Sequence, residues 1–187
     1  MSENTGKSIL LGVTGCIAAY KAADLCSKLT QKGYDVHVVM TANAQKLVTP
    51  LTFQTLSRNR VMTGLWDLPE WEPGHIALAE HCVLMAIVPC TANMLAKLAH
   101  GIADDALSTC ALSHEGPLLV APAMNPRMWK NPATRANVEL LKQRGVQVVE
   151  PGEGLVACGD TGVGRLEDVA VILDRIIELM QPFQYNS

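Results

Sequence analysis

The sequence predicts an α/β fold in which a central parallel sheet of about six strands lies between helices on both faces. Short apolar runs of strand length alternate with segments of helical periodicity along the chain. The first two strands are joined by a helix, and a crossover of this kind implies parallel pairing. The most apolar runs show no alternation with polar residues, which indicates strands buried on both faces of the sheet.

The predicted strands are short and rich in aliphatic residues, and the first of them is expected at the centre of the sheet. They are Ser8–Val13, Tyr34–Met40, Cys82–Val88, Pro117–Ala121 and Val146–Val149. Predicted helices begin at capping or proline residues and end near glycine. They are Ile17–Lys32, a segment opening at Thr41–Ala44, Thr49–Ser57, a short helix after His75, Met94–His100, Asp104–Leu112, Pro132–Arg144 and Leu166–Met180.

Composition limits the classes of function. The 187 residues suit one domain over 1–187, and 49% hydrophobic with 18% charged residues excludes a disordered chain. The net charge of −3, with scattered Lys and Arg, gives no indication of a nucleic-acid partner. No apolar run reaches the ~18 residues of a membrane helix, and the N-terminus lacks a signal-peptide pattern. A cytoplasmic protein that does not bind membranes is therefore expected.

Six cysteines show neither a CxxC pair nor zinc-ligand spacing, so no metal site is expected from them. Without a secretory signal they are predicted to be free thiols, most of them small buried hydrophobic residues. They are Cys16, Cys26, Cys82, Cys90, Cys110 and Cys158.

The turn after the first strand, within Gly12–Lys21, leads directly into a helix. It lacks the GxGxxG fingerprint, so a nicotinamide dinucleotide is not favoured. A glycine turn at a helix N-terminus suits a phosphate, because free N–H groups and the helix dipole favour an anion there. The alternative is a tight turn that needs glycine for a positive φ.

The segment Pro122–Trp129 follows the predicted strand Pro117–Ala121 and is interpreted as an irregular loop. Its amide residue, Asn125, lies between prolines that stiffen the backbone, and it offers a ligand both a donor and an acceptor. Apolar side chains, including Met128, surround it. Alternatively, Asn125 satisfies only the backbone of the loop.

Three other segments are candidates for function. Small polar residues in Pro89–Asn93 follow a second strand end, and His75 stands at a helix start, where a capping or surface role is the alternative. Five glycines in Pro151–Arg165 suggest a mobile flap over a site. The loop Arg58–Gly74 carries Trp66 and Trp71 and is interpreted as a subunit interface.

Four segments together resemble the flavin-dependent cysteine decarboxylases, over about Ser8 to Met180. PAMN and ACGDTGVGR are the most specific motifs. The matching segments are Gly12–Asp24, Gly74–Glu80, Pro89–Thr109 with Pro122–Trp129, and Gly154–Arg165. The resemblance implies a flavodoxin-like fold with FMN bound between subunits of a homotrimer, or of a dodecamer built from trimers.

The resemblance also implies which residues bind FMN. Cys16 and Cys90 depart from the residues common in relatives, which leaves their backbone contacts possible but puts side-chain hydrogen bonds in doubt. The implied cofactor residues are Gly15, Cys16, Ile17, Thr41, Cys90, Thr91, Ala92, Asn93 and Ala123.

The implied reaction converts 4'-phosphopantothenoyl-cysteine to 4'-phosphopantetheine in coenzyme A biosynthesis. FMN takes a hydride from the carbon bearing sulfur, carbon dioxide leaves, and the hydride returns to the enethiolate. By resemblance, His75 is the base, Asn125 holds the substrate carboxylate with Met128 nearby, and Cys158 gives the last proton. Many bacterial relatives carry a C-terminal ligase domain, for which this chain is expected to be too short.

Other members of the wider family remain alternatives. Peptidyl-cysteine decarboxylases of lantibiotic maturation perform only the oxidative half-reaction, and Cys158 argues against them. Flavin prenyltransferases and dipicolinate synthase subunits are more distant, and PAMN together with His75 argues against both. A non-enzymatic FMN-binding regulatory subunit is the alternative from a different functional class, and the joint presence of His75, Asn125 and Cys158 argues against it.

Overall fold

A computed structural model describes residues 8–66, 74–155 and 159–184. In these ranges six strands form one parallel sheet in the order β3-β2-β1-β4-β5-β6, so β1 is central, as predicted. The strands are β1 (Ser8–Val13), β2 (Asp35–Met40), β3 (Val61–Met62), β4 (Leu84–Cys90), β5 (Leu118–Pro122) and β6 (Gln147–Val148).

Helices connect these strands and cover both faces of the sheet. A single 3-10 turn, Ala44–Lys46, follows β2 where a helix was predicted. The helices are α1 (Ala19–Gln31), α2 (Pro50–Ser57), α3 (Gly74–His81), α4 (Ala92–His100), α5 (Ala106–Ser113), α6 (Pro126–Lys130), α7 (Pro132–Gln143) and α8 (Val169–Gln184).

The core is divided by the sheet into two clusters. Along β1, Ile9 and Leu11 belong to a cluster with α1, α2 and α8, whereas Leu10 belongs to one with α4, α5 and α7. All three side chains are fully buried. A strand buried on both faces places helices in two outer layers, which confirms the predicted three-layer arrangement.

Two short elements lie where none was predicted. β3 pairs with β2 inside the segment expected to be an irregular loop, and two residues are too few to produce a detectable periodicity. α6 occupies the second half of the loop that was predicted over Pro122–Trp129. It begins with Pro126 at its first position, where proline is favoured because its fixed φ suits a helix and its missing N–H is not needed.

The predicted glycine flap contains two strands rather than irregular backbone. β7 (Gly152–Leu155) and β8 (Thr161–Arg165) form an antiparallel hairpin separate from the main sheet. Residues 156–158 at the turn of this hairpin, including Cys158, lie outside the described ranges.

The five cysteines in the described ranges are free thiols, and four of them are buried, as predicted. None of the helices that the structure describes is long and apolar enough to cross a bilayer.

Candidate functional site

A cavity of about 510 Å³ lies at the carboxyl end of the sheet, within the ~300–1,000 Å³ range of ligand sites. It is bounded by the start of α1, the end of β5 and the hairpin. Open parallel sheets bind ligands outside the carboxyl ends of their strands, at the point where the strand order reverses. Here that point is β1, which has β2 on one side and β4 on the other. The lining residues are Cys16, Ile17, Ala18, Tyr20, Lys21, Ala123, Met124, Asn125, Leu155, Gly164, Arg165 and Leu166.

The turn after β1 is fastened to the end of β4 by one hydroxyl. Oγ1 of Thr14 donates to the carbonyl of Pro89 at 2.7 Å and accepts from the backbone N–H of Thr91 at 3.1 Å. Gly15 in the same turn packs against the loop after β2, since an added Cβ would lie 2.4 Å from Cβ of Asn43. The ends of three strands are therefore held in fixed positions beside the cavity.

The N-terminus of α1 suits an anion. No side chain caps this helix, and its first turn holds no acidic residue. Burial raises the pKa of the Cys16 thiol above its ordinary value, although a hydrogen bond from the Ala18 backbone opposes this shift. The thiol is therefore neutral near pH 7 and does not repel a phosphate, which the helix dipole and backbone N–H groups attract.

Asn125 has its side-chain amide held in one orientation. Oδ1 accepts the backbone N–H of Arg127 at 2.8 Å and caps α6, while Nδ2 donates to Oδ2 of Asp160 at 3.2 Å. The amide oxygen therefore satisfies the backbone, as the alternative interpretation expected, while the amide nitrogen contacts the carboxylate of Asp160; ligand binding by Asn125 stays a prediction. An N–H donor of this kind can also hold a substrate carboxylate.

The hairpin is fixed to the segment that carries Asn125. The backbone N–H of Met124 donates to the carbonyl of Gly164 at 2.9 Å. A Cβ at position 164 would lie 2.4 Å from the Met124 carbonyl oxygen, so only glycine permits this approach. Through this contact, Leu155 and Arg165 of the hairpin reach the cavity.

The structure brings some of the predicted site residues together. Cys16, Ile17, Ala123 and Asn125 all line the cavity. Five others, at the ends of β1, β2 and β4, are not among its lining residues. These are Gly15, Thr41, Thr91, Ala92 and Asn93.

Two further predicted residues do not line the cavity. The side chain of Cys90 is fully buried in the core, where burial raises the pKa of its thiol, so that thiol cannot contact a ligand in this structure. Its carbonyl accepts the backbone N–H of Ala123 at 3.1 Å. Met128, predicted to bind substrate, is 49% exposed.

The two predicted catalytic residues are only partly covered by the structure. The backbone of His75 lies in the first turn of α3, rather than before that helix, and its side chain is outside what is described. Cys158 lies outside the described residues. Of the two loop tryptophans, Trp66 is 92% exposed and Trp71 is outside the described ranges.

Sequence reasoning missed two cations at the cavity, Lys21 and Arg165. Lys21 could have been found from helical spacing, because Ile17, Tyr20 and Lys21 stand at positions i, i+3 and i+4 and share one face. Arg165 also pairs with Asp168, with Nη2 and Oδ1 3.3 Å apart. No pattern in the hairpin sequence distinguishes its arginine from an ordinary surface residue.

Comparison with known proteins gives consistent matches. A model of the flavoprotein family matches residues 1–181. A probable phosphopantothenoylcysteine decarboxylase of Streptococcus mutans is 46% identical over 177 residues, which are 92% of this chain and 98% of the relative. The coenzyme A biosynthesis bifunctional protein CoaBC of Bacillus subtilis is 47% identical over 87% of this chain. The chain spans 40% of that bifunctional protein's length.

Solved structures match over nearly the whole chain. The FMN-dependent cysteine decarboxylase SpaF has a TM-score of 0.82 at 33% identity, covering 94% of this chain and 98% of SpaF. A cysteine-to-serine mutant of PPC decarboxylase, complexed with pantothenoylaminoethenethiol, has a TM-score of 0.83 at 27% identity. That match covers 93% of this chain and 98% of the mutant. These likenesses confirm the flavodoxin-like fold.

Proposed function

This chain belongs to the flavoprotein family, and from that membership we propose that it is an FMN-dependent carboxy-lyase of coenzyme A biosynthesis. Its substrate is 4'-phosphopantothenoyl-cysteine and its product 4'-phosphopantetheine. The observation that carries the proposal is the side-chain amide of Asn125, which lines a cavity of cofactor size. Its nitrogen donates to the carboxylate of Asp160, and the same donor suits the carboxylate of a substrate.

The residues present fit FMN. The uncapped start of α1, with Gly15, Cys16 and Ile17, would hold the phosphate by the helix dipole and by backbone N–H groups other than that of Cys16, which donates to the Thr14 carbonyl at 2.8 Å. Thr41, Ala123 and the segment 90–93 would complete the site at the neighbouring strand ends. For Cys90, only a backbone contact is proposed, because its thiol is buried.

When bound, FMN accepts a hydride from the carbon bearing sulfur and later returns it, so that the reaction involves no net redox change. Asn125 would hold the substrate carboxylate through its Nδ2 donor until carbon dioxide is lost. His75 would take the proton of the substrate thiol, and Cys158 would give a proton to carbon at the end. These two roles rest on the motifs that contain the residues.

Charges at the cavity agree with an anionic substrate. Phosphopantothenoyl-cysteine carries a phosphate at one end and a carboxylate at the other, while Lys21 and Arg165 place two cations on the cavity lining. Exposed apolar side chains at Ile17 and Tyr20, 61% and 63% exposed, offer contact to the less polar part of a ligand.

A second candidate is decarboxylation of a C-terminal cysteine in a peptide. The match to SpaF shows a likeness to an FMN-dependent cysteine decarboxylase at 33% identity, whereas the identity to the probable phosphopantothenoylcysteine decarboxylase of Streptococcus mutans is 46%, which favours the first candidate. The two reactions differ in their products, because the peptide reaction stops at the enethiol. Cys158 favours the complete cycle.

Assembly into a homotrimer, or a dodecamer built from trimers, is part of the proposal. The indole of Trp66 is 92% exposed, and a partner subunit that covered it would remove this apolar surface from water. Light scattering of the purified protein should give a multiple of three subunits. A fully active monomer would remove the shared FMN site. A cytoplasmic location follows from the proposed pathway.

One experiment tests the function directly. The purified protein should be yellow, should release FMN on heating, and should convert 4'-phosphopantothenoyl-cysteine to 4'-phosphopantetheine with release of carbon dioxide. A colourless protein that fails to bind added FMN would exclude the proposal. A yellow protein that turns over only a peptide with a C-terminal cysteine would favour the second candidate.

A further inference from the structure

A cluster of side chains that can bind a metal ion lies at the amino end of the strands, whereas the cavity lies at their carboxyl end. Asp35 is the first residue of β2, His37 follows on the same strand, and His81 ends α3. Nε2 of His37 lies 3.0 Å from Oδ2 of Asp35, and Nε2 of His81 lies 3.4 Å from the same oxygen. All three ligand atoms lie within 4.8 Å of one another.

The two distances from the Asp35 oxygen match the requirements of a small transition-metal ion. Zinc bonds of ~2.0–2.1 Å in a tetrahedral site separate neighbouring ligand atoms by about 3.3 Å. The two distances to the Asp35 oxygen are close to that value, so small side-chain movements would admit an ion. Imidazole nitrogens suit zinc, copper, iron and nickel ions, whereas sites made only of oxygen ligands suit magnesium and calcium. Two imidazoles with one carboxylate therefore indicate a transition-metal ion.

The carboxylate of Asp35 is oriented as a ligand must be. Nδ2 of Asn59 donates to Oδ1 of Asp35 at 2.7 Å and to the carbonyl of Val36 at 3.0 Å, leaving Oδ2 to face both histidines. A second group that orients a ligating side chain is typical of built metal sites.

Solvent can reach the cluster. The side chains of His37, His81 and Asp35 are 17%, 23% and 44% exposed. We propose that Asp35, His37 and His81 bind one divalent transition-metal ion of the zinc type, with water in the fourth position. This is the pattern of a site with three protein ligands and one open position.

The bound ion would join the C-terminal end of α3 to β2. Apart from this ion, the contact between His81 and Asp35 is a single long hydrogen bond, 3.4 Å from nitrogen to oxygen. The first turn of the same helix carries His75, about 9 Å away at 1.5 Å per residue. The ion would therefore hold α3 in place without touching the reacting groups, and this consequence alone rests on the proposed function.

A cluster held only by hydrogen bonds is the alternative. The rings of His37 and His81 meet edge to face, with centroids 5.1 Å apart and an interplanar angle of 87°. In that arrangement each ring donates an Nε2–H to Asp35, and neither Nε2 atom has a lone pair for a metal ion beside that carboxylate. The two possibilities differ in one measurable property, stoichiometric binding of an ion at both imidazoles.

Cobalt(II) and zinc are the probes. Protein freed of metal with a chelator is titrated with Co²⁺ while visible absorption is recorded, and Zn²⁺ is then added in competition. One Co²⁺ per chain should give ligand-field bands of a four-coordinate site, which Zn²⁺ abolishes. The readout does not depend on activity, so a failure here leaves the proposed decarboxylation untouched.

Single substitutions locate the ion. His37→Gln and His81→Gln should each weaken Co²⁺ binding by more than tenfold, while His100→Gln, at an exposed histidine that contacts Asn137 on another face, should not. Asn59→Ala keeps all three ligands and should weaken binding roughly 10- to 100-fold. Circular dichroism checks that each variant is folded.

The outcome is decisive in either direction. Absence of the bands in folded wild-type protein would overturn the proposal, as would equal binding by wild type and by folded His37→Gln and His81→Gln. If both of those variants unfold, the wild-type bands, their abolition by Zn²⁺ and the response of Asn59→Ala decide the assignment. Bands that persist unchanged in Asn59→Ala would then overturn it.

Discussion

The amide nitrogen of Asn125 donates to the Asp160 carboxylate across 35 residues of chain, at 3.2 Å. This contact joins the start of α6 to the hairpin, and it uses the same donor that is proposed to hold the substrate carboxylate. A bound substrate must therefore share this nitrogen with Asp160 or displace it. The first prediction follows from this competition.

Asn125→Asp should lower kcat/KM for phosphopantothenoyl-cysteine by roughly 100-fold or more. The new carboxylate repels both the substrate carboxylate and Asp160, while its oxygen can still cap α6. Flavin content should be unchanged, since the FMN phosphate is proposed to bind at α1. Absorbance and steady-state kinetics measure the two effects.

The chain offers a matched control for this substitution. Asn131 also precedes a proline and caps a helix, with Oδ1 accepting the backbone N–H of Ala133 at 2.9 Å. Asn131→Asp should leave kcat/KM near the wild-type value. Equal losses in the two variants would indicate a general effect of charge and not a role for Asn125 in binding substrate.

Gly164→Ala should displace the hairpin. Its Cβ would collide with the backbone of Met124 and Pro126, which cannot move as a flexible side chain does. We expect faster proteolysis within Pro151–Arg165 and a higher KM. Gly152→Ala is the control, because a Cβ there meets only the Glu167 side chain, at an ordinary 3.6 Å. Similar behaviour of the two variants would argue against the close approach at position 164.

Cys158→Ser should separate the two halves of the reaction. Release of carbon dioxide needs no proton from this position, but return of the hydride does, and a hydroxyl is a far weaker acid than a thiol with an ordinary pKa of ~8.5. Mass spectrometry of an anaerobic single turnover should find the enethiol, with the flavin left reduced. Normal product at the wild-type rate would assign the last proton to another group.

Asp105 should account for part of the acid sensitivity of folding. Its Oδ1 accepts the Ser108 backbone N–H at 2.8 Å and its Oδ2 lies 2.5 Å from Nζ of Lys97. Burial would raise the Asp105 pKa, but these partners outweigh it and lower the pKa. The stabilisation is therefore complete above the pKa of an unfolded aspartate, ~3.9, and is lost as pH falls through the lower folded value.

Asp105→Ala should reduce the free energy of unfolding by about 1 kcal/mol near neutral pH, through loss of the α5 cap. The difference from wild type should shrink in acid. Asp104→Ala, at an exposed side chain whose only ion pair within the described residues is with Lys97, should cost less. Urea denaturation at several pH values tests this, and a pH-independent difference would contradict the assigned role of ionisation.

Much of the fold could be predicted because apolar runs and crossover helices are local patterns. Ser8–Val13 was predicted with its observed bounds, and most other strands within two residues. The two-residue strand β3 could not be, since its existence depends on pairing with β2 and not on its own sequence.

The site was harder to predict than the fold. Asn125 was recognised as a donor, but its contact with Asp160 depends on how the hairpin packs. The Asp35, His37 and His81 cluster was not predicted, because His81 lies 46 residues from Asp35 and the three residues form no local spacing pattern. Such a combination becomes visible only in three dimensions.

The outermost strands of the sheet, β3 and β6, are only two residues long. Edge strands this short offer few unpaired backbone groups to a strand of another molecule. They therefore protect the sheet against aggregation by edge-to-edge pairing. A substitution that lengthens β3 or β6 would therefore raise the tendency to form fibrils without altering the cavity at the carboxyl end of the sheet.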